Sequence, residues 1–345
     1  MDTRIIKINR ENIDKSIMGE LGDIISSGGL VAFPTETVYG LGANAFDDNA
    51  VKSIYKAKGR PSDNPLIVHF ADVAAIEEAV VELTNEARLL LDTFSPGPLT
   101  VILKKSDKIS DTVSAGLDTV AVRIPSDEIA RELIRCAKVP IAAPSANLSG
   151  KPSPTTSKHV IQDMNDRIEA IIDGGDCQVG VESTVIDLSG DIPVILRPGG
   201  VTFSQIKELL PNTVIDKHIT KSVEAFETPK SPGMKYKHYA PDADVTVVEG
   251  DFNSVRDKIC GLLKENMNFR TGVITCSDNT YEADLVINIG KSNKEYAKNL
   301  FRVLREFDEN NIDVVFAEFF DDDAYGLAVK NRLYKSAGNK VIYTK

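Results

Sequence analysis

The sequence lacks the features that would assign it to a membrane, secreted or metal-binding class. No uninterrupted apolar run approaches about 18 residues, the length of a membrane-spanning helix. The first residues, MDTRIIKINRENID, have no apolar core of a signal peptide behind their charges. The four cysteines are widely spaced and form no CxxC pair, so neither a zinc site nor a disulfide framework is supported. We therefore expect a cytosolic protein without membrane association, whose thiols are reduced and mostly buried.

Common catalytic signatures and a basic surface are also missing. The chain has no GxxxxGK[ST] phosphate loop and no GxSxG elbow, and its four histidines give no metal-ligand spacing. The net charge is −11, and acidic residues outnumber basic ones both before and after residue 241. Tight nucleic-acid binding depends on Lys and Arg side chains that neutralise phosphates, so we expect no stable nucleic-acid binding.

What the chain does contain is typical of a two-domain globular protein. Its 345 residues are more than a single hydrophobic core usually serves, so two domains are expected. In residues 1–215, short β-branched runs ended by Gly, Pro or Asp outnumber the helical segments between them. The runs are LVAF (30–33), LIVHF (66–70), LTVILKK (99–105), TVAVRI (119–124), PIAA (140–143), IEAII (168–172), STVIDL (183–188) and VILR (194–197). The first domain is therefore predicted to be α/β with a twisted mixed sheet.

Residues 242–345 show a different hydrophobic pattern, in which predicted strands and helices alternate. VTVVEG, GVITC, DLVINIG and VVFAEFF are strand-like, and helical stretches cover about 253–268, 292–310 and 324–337. This alternation predicts a smaller, Rossmann-like parallel α/β domain. Because GxGxxG is absent, dinucleotide binding is not implied.

Hydrophobic patterning fades over residues 216–241, which are predicted to connect the two domains. This connector ends in SPGMKYKHYAP (231–241), where prolines stiffen a backbone that carries aromatic and cationic side chains. Two interpretations stay open. The aromatic residues anchor the crossing chain to a domain surface, or the segment forms a lid over a ligand.

The first candidate binding segment is PTETVYGLGANA (34–45), directly after LVAF. Pro34, Gly40 and Gly42 predict a turn at the end of a strand, where open α/β sheets bind ligands. Thr35 and its polar neighbours would face that position. The alternative is a loop that only caps a helix.

A second candidate is KAKGRPSDNPLIVHF (56–70), which gathers Lys56, Lys58 and Arg60 on a loop constrained by Gly and Pro. Arg can form paired hydrogen bonds with phosphate oxygens and Lys supplies a point charge, so the loop suits a polyphosphate. The alternative is that these charged side chains only form a solvent-exposed surface. His69 falls inside the following strand, where a buried structural histidine is the alternative to a catalytic one.

Further polar positions lie in the later strands. Arg123 occurs within the apolar strand TVAVRI and must find a carboxylate or an anionic ligand, because an unpaired buried guanidinium is costly. The segment APSANLSGKPSPT (143–155) offers hydroxyls, an amide and backbone N–H groups at a turn, as an anion site would. GVESTVIDL (180–188) and ILRPGG (195–200) add Ser183 and Arg197.

Taken together, these segments resemble the ordered motif series of the YrdC-like family. The series runs PTETVYGLGANA, KGRPSDNPLIVH, SPGPLTVIL, DTVAVRIP, APSANLSGKPSPT, GGDCQVGVESTVID and ILRPGG. The length of the chain and the segment SPGMKYKHYAP further resemble the long, two-domain form of that family. The only departure is a varied loop, SDE, after residues 123–125.

The resemblance implies an enzyme that combines L-threonine, bicarbonate and ATP into threonylcarbamoyl-adenylate and releases pyrophosphate, which makes it a nucleotidyltransferase. Its product would serve threonylcarbamoyladenosine formation in tRNA, with the transfer made by separate downstream proteins. Mg²⁺ is expected on the triphosphate, held by phosphates and water, so no protein metal site is predicted. This chemistry needs positioning and charge neutralisation more than a nucleophile, in agreement with the cations, hydroxyls and turns of the sequence.

The resemblance also implies the site residues. The L-threonine pocket would fall on Thr35, His69, Arg123 and Ser183. Contacts with ATP would fall on Lys58, Arg60, Ser62, Thr119, Ala143 through its backbone, Ser145, Asn147, Ser153 and Arg197, with Tyr236 and Tyr239 of the connector as further candidates. Lys58 and Arg60 would be catalytic because they neutralise phosphate charge.

Two alternatives stay open. One is an RNA-binding module of tRNA or ribosome maturation, which the acidic charge disfavours. The other is a related adenylyl or carbamoyl transferase that uses another amino acid, which an acceptor screen against serine would distinguish.

Overall fold

The computed structural model describes residues 2–59, 64–217, 219, 239–320 and 325–344. These residues form two compact units. The first contains the described residues up to Ser149 together with Ser153–Ile219, and the second contains Gly150–Pro152 and the described residues from Tyr239 onward. Most of the predicted connector lies outside the described residues, so its role stays a prediction.

The first unit contains one large mixed sheet, as predicted. Its strands are β1 (Arg4–Lys7), β2 (Val31–Phe33), β3 (Gly40–Asn44), β4 (Ile67–His69), β5 (Leu99–Lys104), β6 (Thr119–Arg123), β7 (Ile141–Ala143), β8 (Ala170–Asp173), β9 (Thr184–Asp187), β10 (Val194–Arg197) and β11 (Val214–Ile215). Their order in the sheet is β1-β8-β2-β3-β7-β4-β6-β5-β9-β10-β11. Parallel and antiparallel pairs both occur, which confirms the mixed α/β class.

Helices pack against this sheet and begin at polar caps. They are α1 (Lys15–Ser26), α2 (Asp48–Lys58), α3 (Asn85–Phe94), α4 (Asp111–Ser114), α5 (Glu128–Ala137), α6 (Ser157–Met164) and α7 (Phe203–Leu209). Asp14, Asp47 and Asp127 each accept backbone N–H groups of the first helical turn. Helices α1 and α5 approach so closely that a Cβ at Gly22 would lie 2.5 Å from the carbonyl carbon of Cys136. Their apolar faces form a core cluster with β1, β2 and β8.

The segment GLGAN was predicted to be part of a turn, and this prediction is wrong. Residues 40–44 form strand β3, which pairs antiparallel with β2. The glycines are required by close packing, because a Cβ at Gly42 would lie 2.7 Å from Ile141 and 2.8 Å from Phe33. Glycine is uncommon in the interior of strands and typical of turns, so Gly40 and Gly42 indicated a turn in place of a strand.

The second unit is a smaller parallel α/β fold, as predicted. Its strands are β12 (Asp244–Glu249), β13 (Thr271–Thr275), β14 (Leu285–Asn288), β15 (Val314–Phe319) and β16 (Val341–Tyr343), and its helices are α8 (Phe252–Glu265), α9 (Asn293–Glu309) and α10 (Gly326–Ser336). The strand order is β14-β13-β15-β12-β16, and all four pairs are parallel. Val255, Ile259 and Leu263 of α8 pack on Val248 and Val273 of the sheet.

A fully buried carboxylate organises one end of this second sheet. Glu318, in β15, accepts hydrogen bonds from five neighbours: the Thr275 hydroxyl, the Cys276 N–H, the Ser277 hydroxyl, the Asn279 amide and the Tyr281 hydroxyl. Burial and the bond to Glu318 raise the pKa of Tyr281. The network fixes the connection between β13 and β14, which contains no helix.

Candidate functional site

Polar side chains from three adjacent strands of the first unit form a row on one side of the sheet. His69 of β4 is opposite Arg123 of β6, and Arg123 is opposite Thr100 of β5. Residues paired in register point to the same side of a sheet. The structure therefore brings together two predicted site residues, His69 and Arg123, with the hydroxyl of Thr100 beside them.

The other two predicted threonine-pocket residues join this row through hydroxyl bridges. The Ser183 hydroxyl lies 2.7 Å from the Thr100 hydroxyl. The Thr35 hydroxyl lies 2.8 Å from that of Thr37, which accepts a 2.9 Å hydrogen bond from Arg123 Nη2. The four residues predicted for L-threonine thus lie around one guanidinium. Their assignment to that ligand stays a prediction.

Arg123 is held by a buried ion pair. Its Nη2 lies 2.7 Å from Glu36 Oε1, and the two side chains are 4% and 6% exposed. The second carboxylate oxygen of Glu36 accepts the Ser126 N–H. Arg123 Nε is buried and finds no hydrogen-bond partner among the residues that the structure describes. The guanidinium is therefore oriented by Glu36 and Thr37 but keeps one donor available for a ligand.

His69 is buried in a setting that keeps it neutral. Burial and the nearby Arg123 charge lower the pKa of His69 to about 3. Its Nδ1 lies 3.2 Å from the Ile67 carbonyl oxygen, and the ring meets Phe33 edge-on. At neutral pH this imidazole supplies a fixed polar contact without a positive charge.

Lys58 contacts the loop that follows β7. Its ammonium donates to the carbonyl oxygens of Ser145 and Asn147, the latter at 2.6 Å. The Lys58 carbonyl in turn accepts the Ser149 N–H at 3.0 Å. The Ser145 hydroxyl donates to Asn147 Oδ1 at 2.5 Å. Lys58 thus holds Ser145 and Asn147, both predicted ATP contacts, in one arrangement.

The remaining described candidates for ATP lie on both sides of this row. Arg197 Nε donates to the Ser183 carbonyl at 3.0 Å and Nη2 to the Ser183 hydroxyl at 3.1 Å. The Ser153 hydroxyl donates to Glu182 Oε1 at 2.6 Å. Thr119 begins β6, four residues from Arg123 and on the same side of that strand. Ala143, the last residue of β7, is opposite Ile67 of β4.

Three predicted site residues, Arg60, Ser62 and Tyr236, lie outside the described residues. Tyr239 is described and belongs to the second unit, where its ring stacks on Phe301 with centroids 5.0 Å apart. One face of the Tyr239 ring is therefore covered by Phe301. Its contact with ATP stays a prediction.

Sequence reasoning missed several polar groups of the site. Thr37, which the sequence indicates only as a polar neighbour of Thr35, bridges Thr35 and Arg123. Thr100, which has a hydroxyl within the apolar strand LTVILK, contacts Ser183 and was not identified. Asn64 was also missed. Its amide is fully buried, and neither amide atom has a hydrogen-bond partner in the described part of the chain. A buried amide without partners is expected to face a ligand or water.

The described residues contain neither a candidate metal cluster nor a membrane-spanning helix. Within the described ranges, no group of three or more His, Cys, Asp or Glu side chains could hold a metal ion. Among the described helices, none is both long enough and apolar enough to cross a bilayer.

Two family models together match most of the chain. The model described as "Telomere recombination" matches residues 23–199. The model described as "Threonylcarbamoyl-AMP synthase, C-terminal domain" matches residues 201–338. The first contains every predicted site residue before the connector.

Curated relatives and a solved structure resemble the chain along almost its whole length. A threonylcarbamoyl-AMP synthase of Pyrococcus abyssi is 48% identical over 340 residues, covering 99% of each chain. One of Bacillus subtilis is 49% identical over 320 residues, covering 91% of this chain and 90% of the relative. The crystal structure of P. abyssi Sua5 complexed with L-threonine superposes with a TM-score of 0.95 at 48% identity, covering 99% of this chain and 100% of that one.

Proposed function

The chain belongs to the threonylcarbamoyl-AMP synthase family, and on this premise we propose that it makes threonylcarbamoyl-AMP from L-threonine, bicarbonate and ATP. Pyrophosphate is the second product, so the reaction class is nucleotidyl transfer. The observation that carries the proposal is the row of polar groups around Arg123, next to the loop held by Lys58.

Recognition of L-threonine follows from the chemistry of that row. A guanidinium with a free donor suits the carboxylate of an amino acid, and the Thr35 and Ser183 hydroxyls suit its hydroxyl and amine. A neutral His69 does not repel the ammonium group of the incoming amino acid. After deprotonation, the amine adds to bicarbonate-derived CO₂ and forms a carbamate.

The nucleotide would lie along the loop after β7 and the start of β6. Ser145, Asn147, Ser153, Thr119 and the Ala143 backbone would contact it, and Arg197, Arg60 and Ser62 would meet the phosphates. The carbamate oxygen attacks the α-phosphorus, and pyrophosphate leaves. Mg²⁺ would enter with ATP and would be held mainly by the triphosphate and water. The protein then contributes position and positive charge more than covalent catalysis.

The product is a labile mixed anhydride that serves threonylcarbamoyladenosine formation in tRNA. Separate transferase proteins would receive it and carry out the transfer. The acidic net charge of −11 favours a passing encounter with tRNA over stable binding.

The test is an omission series with the purified full chain. Pyrophosphate release and threonylcarbamoyl-AMP, detected by mass spectrometry, should require ATP, L-threonine and bicarbonate together. Serine in place of threonine tests the choice of amino acid. Release of pyrophosphate without threonine would remove the proposal, and tight, steeply salt-dependent tRNA binding without nucleotide turnover would favour an RNA-binding module.

A further inference from the structure

A buried arginine in the second unit binds a backbone carbonyl near the end of the predicted ATP loop. Arg305, on α9, is 5% exposed. Its Nε and Nη2 donate to the Pro152 carbonyl oxygen at 3.1 Å and 2.7 Å. Pro152 belongs to the same compact unit as α9, although the residues before Gly150 and after Pro152 belong to the first unit.

The side of α9 that carries Arg305 also contacts the end of the predicted connector. Phe301 precedes Arg305 by one helical turn, so both side chains lie on one side of α9. Phe301 stacks on Tyr239, and the Ala240 N–H donates to the Gly150 carbonyl at 3.0 Å. One stripe of α9 therefore gathers the end of the connector and the segment Gly150–Pro152.

The position of Pro152 bears directly on the predicted nucleotide contacts. Ser153 follows it in the chain, and the Ser153 hydroxyl is bonded to Glu182. Pro154 comes next, and its carbonyl accepts the Tyr39 N–H at 2.9 Å. The peptide bond from the Pro152 carbonyl to Ser153 is planar, and Pro154 restricts the backbone conformation of Ser153, the residue before it. An anchor on that carbonyl thus restrains the backbone of Ser153, whose hydroxyl is held by Glu182.

We propose that Arg305 is a positioning residue for ATP. By binding the Pro152 carbonyl, it holds the loop from Ser145 to Ser153 in the conformation that the nucleotide meets. Lys58 anchors the same loop near its start, and Arg305 anchors it near its end. The inference rests on the proposed function. L-threonine binding, built on other strands, does not depend on Arg305.

The experiment compares Arg305→Met and Arg305→Lys in the full chain. Arg302→Met is the matched control, because Arg302 lies on the same helix but is about half exposed and contacts Glu306 and Asn299 of that helix. Steady-state pyrophosphate release should show the KM for ATP raised about tenfold or more in Arg305→Met, the size expected when a charge-assisted anchor is lost. The KM for threonine should stay within about twofold of the wild type. Arg305→Lys keeps one donor to the carbonyl, so its KM for ATP should lie between those of the wild type and Arg305→Met.

Each outcome has a defined meaning. Circular dichroism checks that the variants fold. If Arg305→Met does not fold, Arg305→Lys is used for the test. A folded Arg305 variant with the ATP KM of Arg302→Met would overturn the inference, as would an equal rise in both KM values. If the wild type makes no threonylcarbamoyl-AMP, the proposed function fails separately. The dissociation constant of ATP, from titration calorimetry on the same variants, then decides the role of Arg305.

Discussion

Replacing His69 with Gln should make the stability of the first unit less sensitive to acid. The folded protein holds the pKa of His69 at about 3, because the ring is buried and Arg123 lies nearby. In the unfolded chain this histidine titrates near its ordinary pKa of about 6.5. At pH values between these two pKa values, the unfolded chain binds a proton that the folded protein does not bind. The free energy of unfolding therefore falls as the pH falls.

The magnitude follows from the two pKa values. One unit of pKa difference is worth about 1.4 kcal/mol, and stability is lost progressively below about pH 6.5. From pH 8 to pH 5, His69 alone should lower the free energy of unfolding by about 2 kcal/mol. Gln cannot take up the proton, so the variant lacks this part of the loss. Groups that are unchanged between the two proteins cancel in the comparison.

The assay is urea unfolding at pH 8 and at pH 5, followed by circular dichroism. Hydrogen exchange of β4 and β6 amides assigns the transition to the first unit. The drop in free energy between the two pH values should be about 2 kcal/mol larger for the wild type than for His69→Gln. Equal drops would refute the reasoning, because they would mean that the folded imidazole titrates like an exposed one. An NMR titration of the wild type should independently show a neutral His69 at pH 5.

Other substitutions test the remaining contacts. Glu36→Gln should lower the free energy of unfolding by about 3 kcal/mol, because it leaves the buried Arg123 charge without its carboxylate. The double variant with Arg123→Met should recover part of that loss in thermal unfolding, and simple additivity would argue against the pair. Lys58→Met should lower kcat/KM for ATP about 100-fold, because the loop around Asn147 loses its anchor, and near-normal steady-state kinetics would contradict this role. Glu318→Ala should destabilise the second unit by about 3 kcal/mol, since five donors lose their acceptor, and unchanged hydrogen exchange in β13 would show that water replaces the carboxylate.

Local patterns predicted most of the elements, whereas contacts between distant residues could not be predicted. The β-branched runs around residues 119–123 and 184–187 became strands because their alternation fits a buried sheet. The strand GLGAN was missed because its glycines are needed for packing against residues far away in the chain. The sequence required a partner for Arg123 but could not select Glu36, which lies 87 positions away. Nor did it indicate that Gly150–Pro152 belongs with the second unit.

The pairing of β8 with both β1 and β2 has a consequence for synthesis on the ribosome. Residues 170–173 bridge two strands from the first 33 residues of the chain. Until β8 leaves the exit tunnel, β1 and β2 expose unpaired edges, and long-range pairing of this kind is slow and prone to aggregation. Emergence of β8 is thus the event that completes this side of the sheet. A stalled nascent chain that ends before β8 should stay protease-sensitive, and one that includes β11 should become resistant.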